Sequence, residues 1–291
     1  MDIFPQCFSC ILDVRFKEIL NSINDRDKAI SVQYKLLNIA NEEFSRSKEL
    51  THIASNIYLR LVKEAPEIVK YYKELKRKSI DTALNEIKPL KKYASSLNGY
   101  EKFRFVVKVS IAGNLLDLGV SQFTPPSSIT LDFINNLQFG IDNTYEAYNI
   151  IRNKKILYLF DNAGEAVYDT LLIETLKEMG NEIVGVVKEE PGFQNDLTIE
   201  DARYLGLTTQ MKIITTGYAG SSIHLENVND TLKRELNEAD IIISKGMANF
   251  EYIYFMKFDK PVLFLLVPKC EPVAIALNTK KRLLVALLRK E

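Results

Sequence analysis

A change of rhythm at Lys154 constrains this 291-residue chain more than any other feature. Beyond it, short apolar runs recur at 156–160, 183–187, 212–215, 241–244, 262–267 and 282–288, each separated from the next by a segment of helical or turn character. Alternation of this kind implies a mostly parallel sheet with helices on both faces. Before Lys154 the pattern is helical. The expected class is therefore α/β, with an N-terminal all-helical domain over residues 1–150 packed on an α/β sheet domain over residues 151–291. Such a length exceeds what one core usually serves, and a hydrophobic content of 46% can fill two.

Charge narrows the partners. Lys+Arg and Asp+Glu are equal at 38 each, so no basic excess points to nucleic acid. No run approaches the roughly 18 apolar residues that a bilayer span needs, and MDIFPQCFSCIL has no basic region ahead of its apolar stretch. Three cysteines are too few for a disulfide framework in a chain this long. A cytoplasmic protein with neither a nucleic-acid nor a membrane partner is expected. The oligomeric state is left open.

In the first half, Ile30, Tyr34, Leu37 and Phe44 repeat at helical spacing, and Ile53, Ile57 and Leu61 do so in the next segment. A long charged helix runs toward Lys92 with an interruption expected near Pro89, because proline removes a helix donor. A helix over 100–116 carries Gly113, which suggests a helix end or a close backbone approach.

The first strand of the second half runs into Asp161-Asn162-Ala163-Gly164-Glu165 and then a helix. In open α/β sheets, ligands sit beyond the carboxyl ends of strands, where the next helix presents its N–H groups. A carboxylate and an amide oxygen there suit a hard divalent cation. Asn162 and Glu165 equally fit a capping box, so both readings stand. Because parallel strands share direction, the segments following them converge on one rim, which gathers Asp161, Asn162, Asp196, Lys245 and Lys269. Carboxylates for a cation, lysines for a phosphoryl charge and backbone N–H groups near Gly217 and Gly220 make an inventory for a metal and a phosphate. Thr198 and Asp201 form a capping box of their own, so Asp201 is read as structural.

Ordered along the chain, CxxC (Cys7, Cys10), AGNLLDLG from Ala112, DNAGE from Asp161 with Asp169, ND with T..DA (Asn195 to Ala202), KGMANFE (Lys245 to Glu251) and KC (Lys269, Cys270) resemble the damage-control phosphatase family. A human protein named as an acidic-residue methyltransferase is related to that family. The resemblance covers nearly the whole chain and implies a helical domain packed on a Rossmann-like, mostly parallel domain. It further implies metal-dependent hydrolysis of phosphate monoesters of small metabolites, such as sugar phosphates or damaged nucleotides. The cofactor would be a divalent cation: manganese, nickel, cobalt or magnesium. By resemblance, Asp161, Asn162 and Asp196 hold the metal, with Asp161, Asp196 and Lys245 counted as catalytic. Asn114, Asp117, Glu165, Gly217, Asn249 and Lys269 would face the substrate. The family's DPY-like motif has no counterpart, since Val69-Lys70-Tyr71-Tyr72-Lys73 stands in its place.

Two other functions are weighed. A methyltransferase using S-adenosylmethionine would want a glycine-rich loop after the first strand, where Asp161-Asn162-Ala163-Gly164 stands instead. A non-catalytic binder of sugar phosphate or nucleotide could use the same rim. A covalent aspartyl-phosphate route is disfavoured because Ala163 occupies the second acidic position of a DxD motif. Cys7 and Cys10 are read as packing residues or a surface thiol pair, and His52 and His224 as helix or loop residues without metal-ligand spacing.

Overall fold

The run Lys155–Leu159 becomes the strand around which the sheet is wound, in a computed structural model that describes residues 1–116, 126 and 128–290. Ahead of it lie helices α1 (Pro5–Ser22), α2 (Arg26–Arg46), α3 (Leu50–Glu64), α4 (Glu67–Ala94), α5 (Gly99–Gly113) and α6 (Leu131–Asn136), then strand β1 (Phe139–Asp142) and helix α7 (Thr144–Ile150). The alternating half comprises β2 (Lys155–Leu159), α8 (Glu165–Glu178), β3 (Glu182–Val187), α9 (Ile199–Tyr204), α10 (Leu207–Gln210), β4 (Lys212–Thr215) and α11 (Asp230–Glu238). It continues with β5 (Ile241–Lys245), α12 (Met247–Ile253), β6 (Val262–Leu266), α13 (Glu271–Ala276) and β7 (Leu284–Arg289). The sheet order is β1-β7-β6-β5-β2-β3-β4. Every neighbouring pair is parallel except β6 and β7.

Strand β2 lies between β3 and β5. The chain therefore winds outward through β3 and β4, then returns to the other side of β2. Open α/β sheets bind ligands in the crevice at such a reversal, and here it opens between the ends of β2 and β5. Along β2, successive side chains serve opposite layers, as a period of two requires. Ile156 and Tyr158 join a core with α4, α5 and α8, while Leu157 and Leu159 join one with α11 and α12. A third cluster unites α1 to α4 and takes in Phe193, from the loop after β3. Phe193 lies 4.9 Å, centroid to centroid, from Tyr58. That contact anchors the loop to the N-terminal helices.

Three details differ from the sequence expectation. Strand β1 was missed, because FGID is only four residues long, contains a glycine and is half exposed at the sheet edge. Helix α4 continues through Pro89. Burial of Ile80, Ala83, Ile87, Leu90 and Ala94 along one stripe, worth about 1.5–3 kcal/mol for each large side chain, outweighs a proline cost of about 3 kcal/mol. Helix α2 forms as expected but turns Ala29, Val32, Leu36, Ile39 and Ala40 inward, leaving Ile30, Tyr34 and Leu37 exposed. Both stripes have helical spacing, and the smaller, more continuous one fits against α3.

Candidate active site

Main-chain pairing beyond the ends of β2 and β3 builds the site. Leu197 N–H donates to Asp161 O at 2.8 Å and Ala163 N–H donates to Asn195 O at 2.9 Å. Asn162 and Asp196 thereby face one another as an antiparallel bridge. Asp161, Asn162 and Asp196, separated in sequence by a whole helix and strand, come to one wall of a cavity of about 290 Å³.

Strand β5 contributes a backbone cradle. Gly246 has φ +78°, and a Cβ added there would stand 2.0 Å from Asp161 Oδ2. Only glycine lets the main chain pass so close to this carboxylate. Helix α5 reaches the same point from the other side. A Cβ on Gly113 would lie 3.1 Å from Tyr168 and 3.3 Å from Glu165, so the glycine is both the end of α5 and a close approach to α8. The next residue, Asn114, donates through Nδ2 to Asp161 Oδ2 and to Glu165 Oε2, both at 2.9 Å. Its Oδ1 accepts from Val267 N–H at 3.2 Å. Asn162 Nδ2 repeats the pair of donations at 2.8 and 3.0 Å. Its amide thus serves the carboxylates, and no side-chain cap forms at the start of α8. The capping-box alternative is removed.

Beneath this layer is a fully buried group. Lys245 Nζ lies 2.7 Å from Glu165 Oε1, and donates to Asp169 Oδ1 at 2.5 Å and Ser110 O at 2.9 Å. Burial alone would depress this ammonium, but Asp169 and Glu165 hold it above its usual value. Burial pushes the Asp169 carboxyl up to about 6, with Lys245 pulling against it and Glu165 adding to the rise. Ser110 Oγ donates to the same Asp169 oxygen at 2.6 Å.

The expected residues fall into three places. Asp161, Asn162, Asp196 and Lys269 line the cavity. Asn114, Glu165 and Lys245 lie just behind Asp161, while Asn249 donates to Lys245 O at 2.8 Å and supports the turn after β5. Gly217, with φ +71°, packs against Asn229 and is not on the cavity wall. Asp117 lies outside the described residues. Asp201 completes the Thr198 capping box and accepts from Lys76 at 2.5 Å, in keeping with its structural reading.

Sequence reasoning missed two cations. Lys188, buried just after β3, sits 3.8 Å from Asp196 Oδ2 and donates to Ser222 O. Burial depresses its pKa, with Asp196 and Asp161 opposing. Its position as the first polar residue after a strand was the available signal. Arg15 lines the cavity from α1, with its guanidinium 4.9 Å from the Tyr58 centroid and 5.5 Å from Phe193, and its buried Nη1 has no hydrogen-bond partner. No motif marked it. Cys7, Cys10 and Cys270 are free and share the cavity wall. The reading of the histidines needs correction, because His52 and His224 meet with ring centroids 4.0 Å apart.

Two carboxylates and an amide on one wall form an all-oxygen donor set, suited to a hard cation such as magnesium or manganese. The close glycine and the paired loops fit that use, since they fix the carboxylates before any ligand arrives. Fold and site together define a doubly wound α/β protein with an acidic centre at its topological switch point.

A family model described as the damage-control phosphatase ARMT1-like domain matches residues 3–284, and the chain belongs to that family. A damage-control phosphatase of Archaeoglobus fulgidus is 33% identical over 277 residues, covering 94% of each chain. An uncharacterised protein of Methanocaldococcus jannaschii is 31% identical over 93% of this chain and 90% of its own. The crystal structure of a DUF89 family protein from Pyrococcus horikoshii superposes with a TM-score of 0.87 at 28% identity, covering 100% of both chains. Among the described residues no helix is long and apolar enough to cross a membrane.

Proposed function

We propose that this protein is a metal-dependent phosphatase acting on phosphate monoesters of small metabolites. The observation that carries the proposal is the Asn162–Asp196 pairing, which brings two carboxylates and an amide to one cavity wall. Names of family relatives support the phosphatase class. Asp161, Asn162 and Asp196 would hold a divalent cation. When bound, such a cation neutralises phosphoryl charge and makes water a stronger nucleophile at neutral pH.

The remaining roles belong to the chain. Lys269, on the cavity wall, faces the transferring phosphoryl group and offsets its charge. Lys188 balances Asp196 from behind. Glu165 and Asn114 orient Asp161, and Lys245 acts through them as a positioning residue. Arg15, whose Nε pairs with Glu18 Oε2 at 2.8 Å, lines the same cavity and would bear on the part of the substrate beyond the phosphate. Residues 1–150 thus supply Arg15 to the cavity, and residues 151–291 the proposed metal ligands and Lys269.

Phosphate release from sugar phosphates, nucleotides and p-nitrophenyl phosphate tests the proposal, using metal-stripped protein restored with magnesium, manganese, cobalt or nickel. Turnover should require a metal and fall at least about 10³-fold in both Asp161→Ala and Asp196→Ala. Full activity in both variants would end the proposal. Binding without turnover under every metal would favour a non-catalytic sugar-phosphate or nucleotide binder.

A further inference from the structure

Next to the cavity, behind Thr51, a second set of ligand-type side chains comes together that the proposed reaction does not use. Glu49 is the N-cap of α3, His52 lies in its first turn, and His224 lies in the loop between β4 and α11. Each offers one ligand atom, and the three atoms lie within 4.8 Å of one another. The chain has only two histidines, and both are here.

The local chemistry favours a cation. His52 Nδ1 is 3.1 Å from Glu49 Oε2, and its Nε2 pairs with Glu226 Oε1. Two donors on one tetrahedral zinc, at bonds of about 2.0–2.2 Å, stand about 3.3–3.6 Å apart, so the His52–Glu49 pair is already close to that edge. His224 is fully buried; its Nε2 meets Thr51 Oγ1 at 2.8 Å and its Nδ1 has no hydrogen-bond partner. Leaving a buried nitrogen unpaired is unfavourable, and a ring swing that gives it a partner relieves the cost.

Outer contacts fix the carboxylates. Thr51 Oγ1 donates to Glu49 at 3.0 and 2.9 Å, and Tyr252 Oη donates to Glu226 Oε2 at 3.0 Å while accepting from Leu225 N–H. Support of this kind accompanies metal ligands. Against the two carboxylates stands the amino group of Met1, 3.5 Å from Glu49 Oε1. A divalent ion would therefore not meet a charge-balanced site.

We propose that Glu49, His52 and His224 form a site for a borderline divalent cation of the zinc class, separate from the oxygen site at Asp161. Imidazole nitrogen selects zinc over magnesium, and three protein donors leave one tetrahedral position for water. The ion would join α3, which contributes Thr51 and Ala54 to the cavity, to the loop that carries Ser221 and Ser222. Ser221 N–H already donates to Ser55 Oγ across the same seam at 3.0 Å, so the ion would reinforce an existing junction.

The test uses the full chain, stripped with a chelator, loaded with zinc in excess magnesium, desalted and assayed for bound metal. Asp161→Ala, which removes the oxygen site, should still retain about one zinc per chain and melt several degrees higher with zinc than without. Adding His52→Ala should reduce retained zinc at least about tenfold and remove the thermal shift. His52 is the partly exposed member, so its loss spares the fold, and circular dichroism verifies this. Cobalt in Asp161→Ala should give tetrahedral ligand-field bands that vanish with His52→Ala. No retained zinc in folded Asp161→Ala, or the same zinc with His52 removed, overturns the proposal. Neither result bears on phosphatase activity.

Discussion

Two acidic groups containing lysine lie back to back in this protein, and they differ in whether they reach the cavity. Behind the wall, Lys245 spends its donors on Glu165, Asp169 and Ser110, and all three charged side chains are sealed from solvent. At the wall, Asp161, Asn162, Asp196 and Lys269 border a cavity that a small molecule can enter. The parts are alike, but the first group is closed around a buried ion pair and holds a shape, while the second lines a cavity and, in the proposed function, meets the ligand. A lysine after a strand can belong to either, and only packing decides.

Replacing the two lysines is the strongest way to break this comparison. Lys245→Met leaves two buried carboxylates without their cation and should cost about 3–5 kcal/mol of stability, measured by urea unfolding. Lys269→Met should reduce kcat/KM about 10²-fold while costing less stability than Lys245→Met. If Lys245→Met folds with its full stability and loses only turnover, the inner group is catalytic and the distinction fails.

Gly246→Ala sharpens the comparison with a smaller effect. The added methyl would collide with Asp161 Oδ2, so the carboxylate must turn. Metal affinity should fall about 10- to 100-fold, read by isothermal titration with manganese, with the inner group untouched.

The smallest effect concerns pH. Folded Asp169 titrates near 6 against an ordinary 3.8, so the folded protein holds this proton more tightly than the unfolded chain does. The stability linked to Asp169 should therefore rise as pH falls from about 6 toward 3.8 and be flat above. Its full span is at most about 3 kcal/mol, at about 1.4 kcal/mol per unit. Asp169→Asn should abolish that slope in urea midpoints taken at successive pH values. An unchanged slope would place the titrating proton elsewhere.

The sheet was legible from sequence because buried parallel strands are short apolar runs, and such runs survive any packing. The half-exposed FGID edge strand was not, since its alternation over four residues resembles a loop. Asp161, Asn162 and Asp196 could be placed on one rim because parallel strands end on the same side. The depth of a side chain relative to that rim has no linear signature. Lys245 and Lys269 both come at the end of an apolar run in the sequence, yet one is sealed and the other lines the cavity. Arg15 and the two histidines escaped for a related reason: their partners come from elements distant in the chain. Pro89 misled because a local helix cost was not weighed against a buried stripe.

The antiparallel bridge between Asn162 and Asp196 makes the site's integrity visible to hydrogen exchange. The amides of Leu197 and Ala163 donate across the same junction that sets the proposed metal ligands side by side. Any fluctuation that parts the two loops both releases those amides to solvent and scatters the ligands. Their deuterium uptake thus reports the fraction of time the centre is assembled, in the absence of substrate. A cation binding there should slow that uptake in proportion to its saturation.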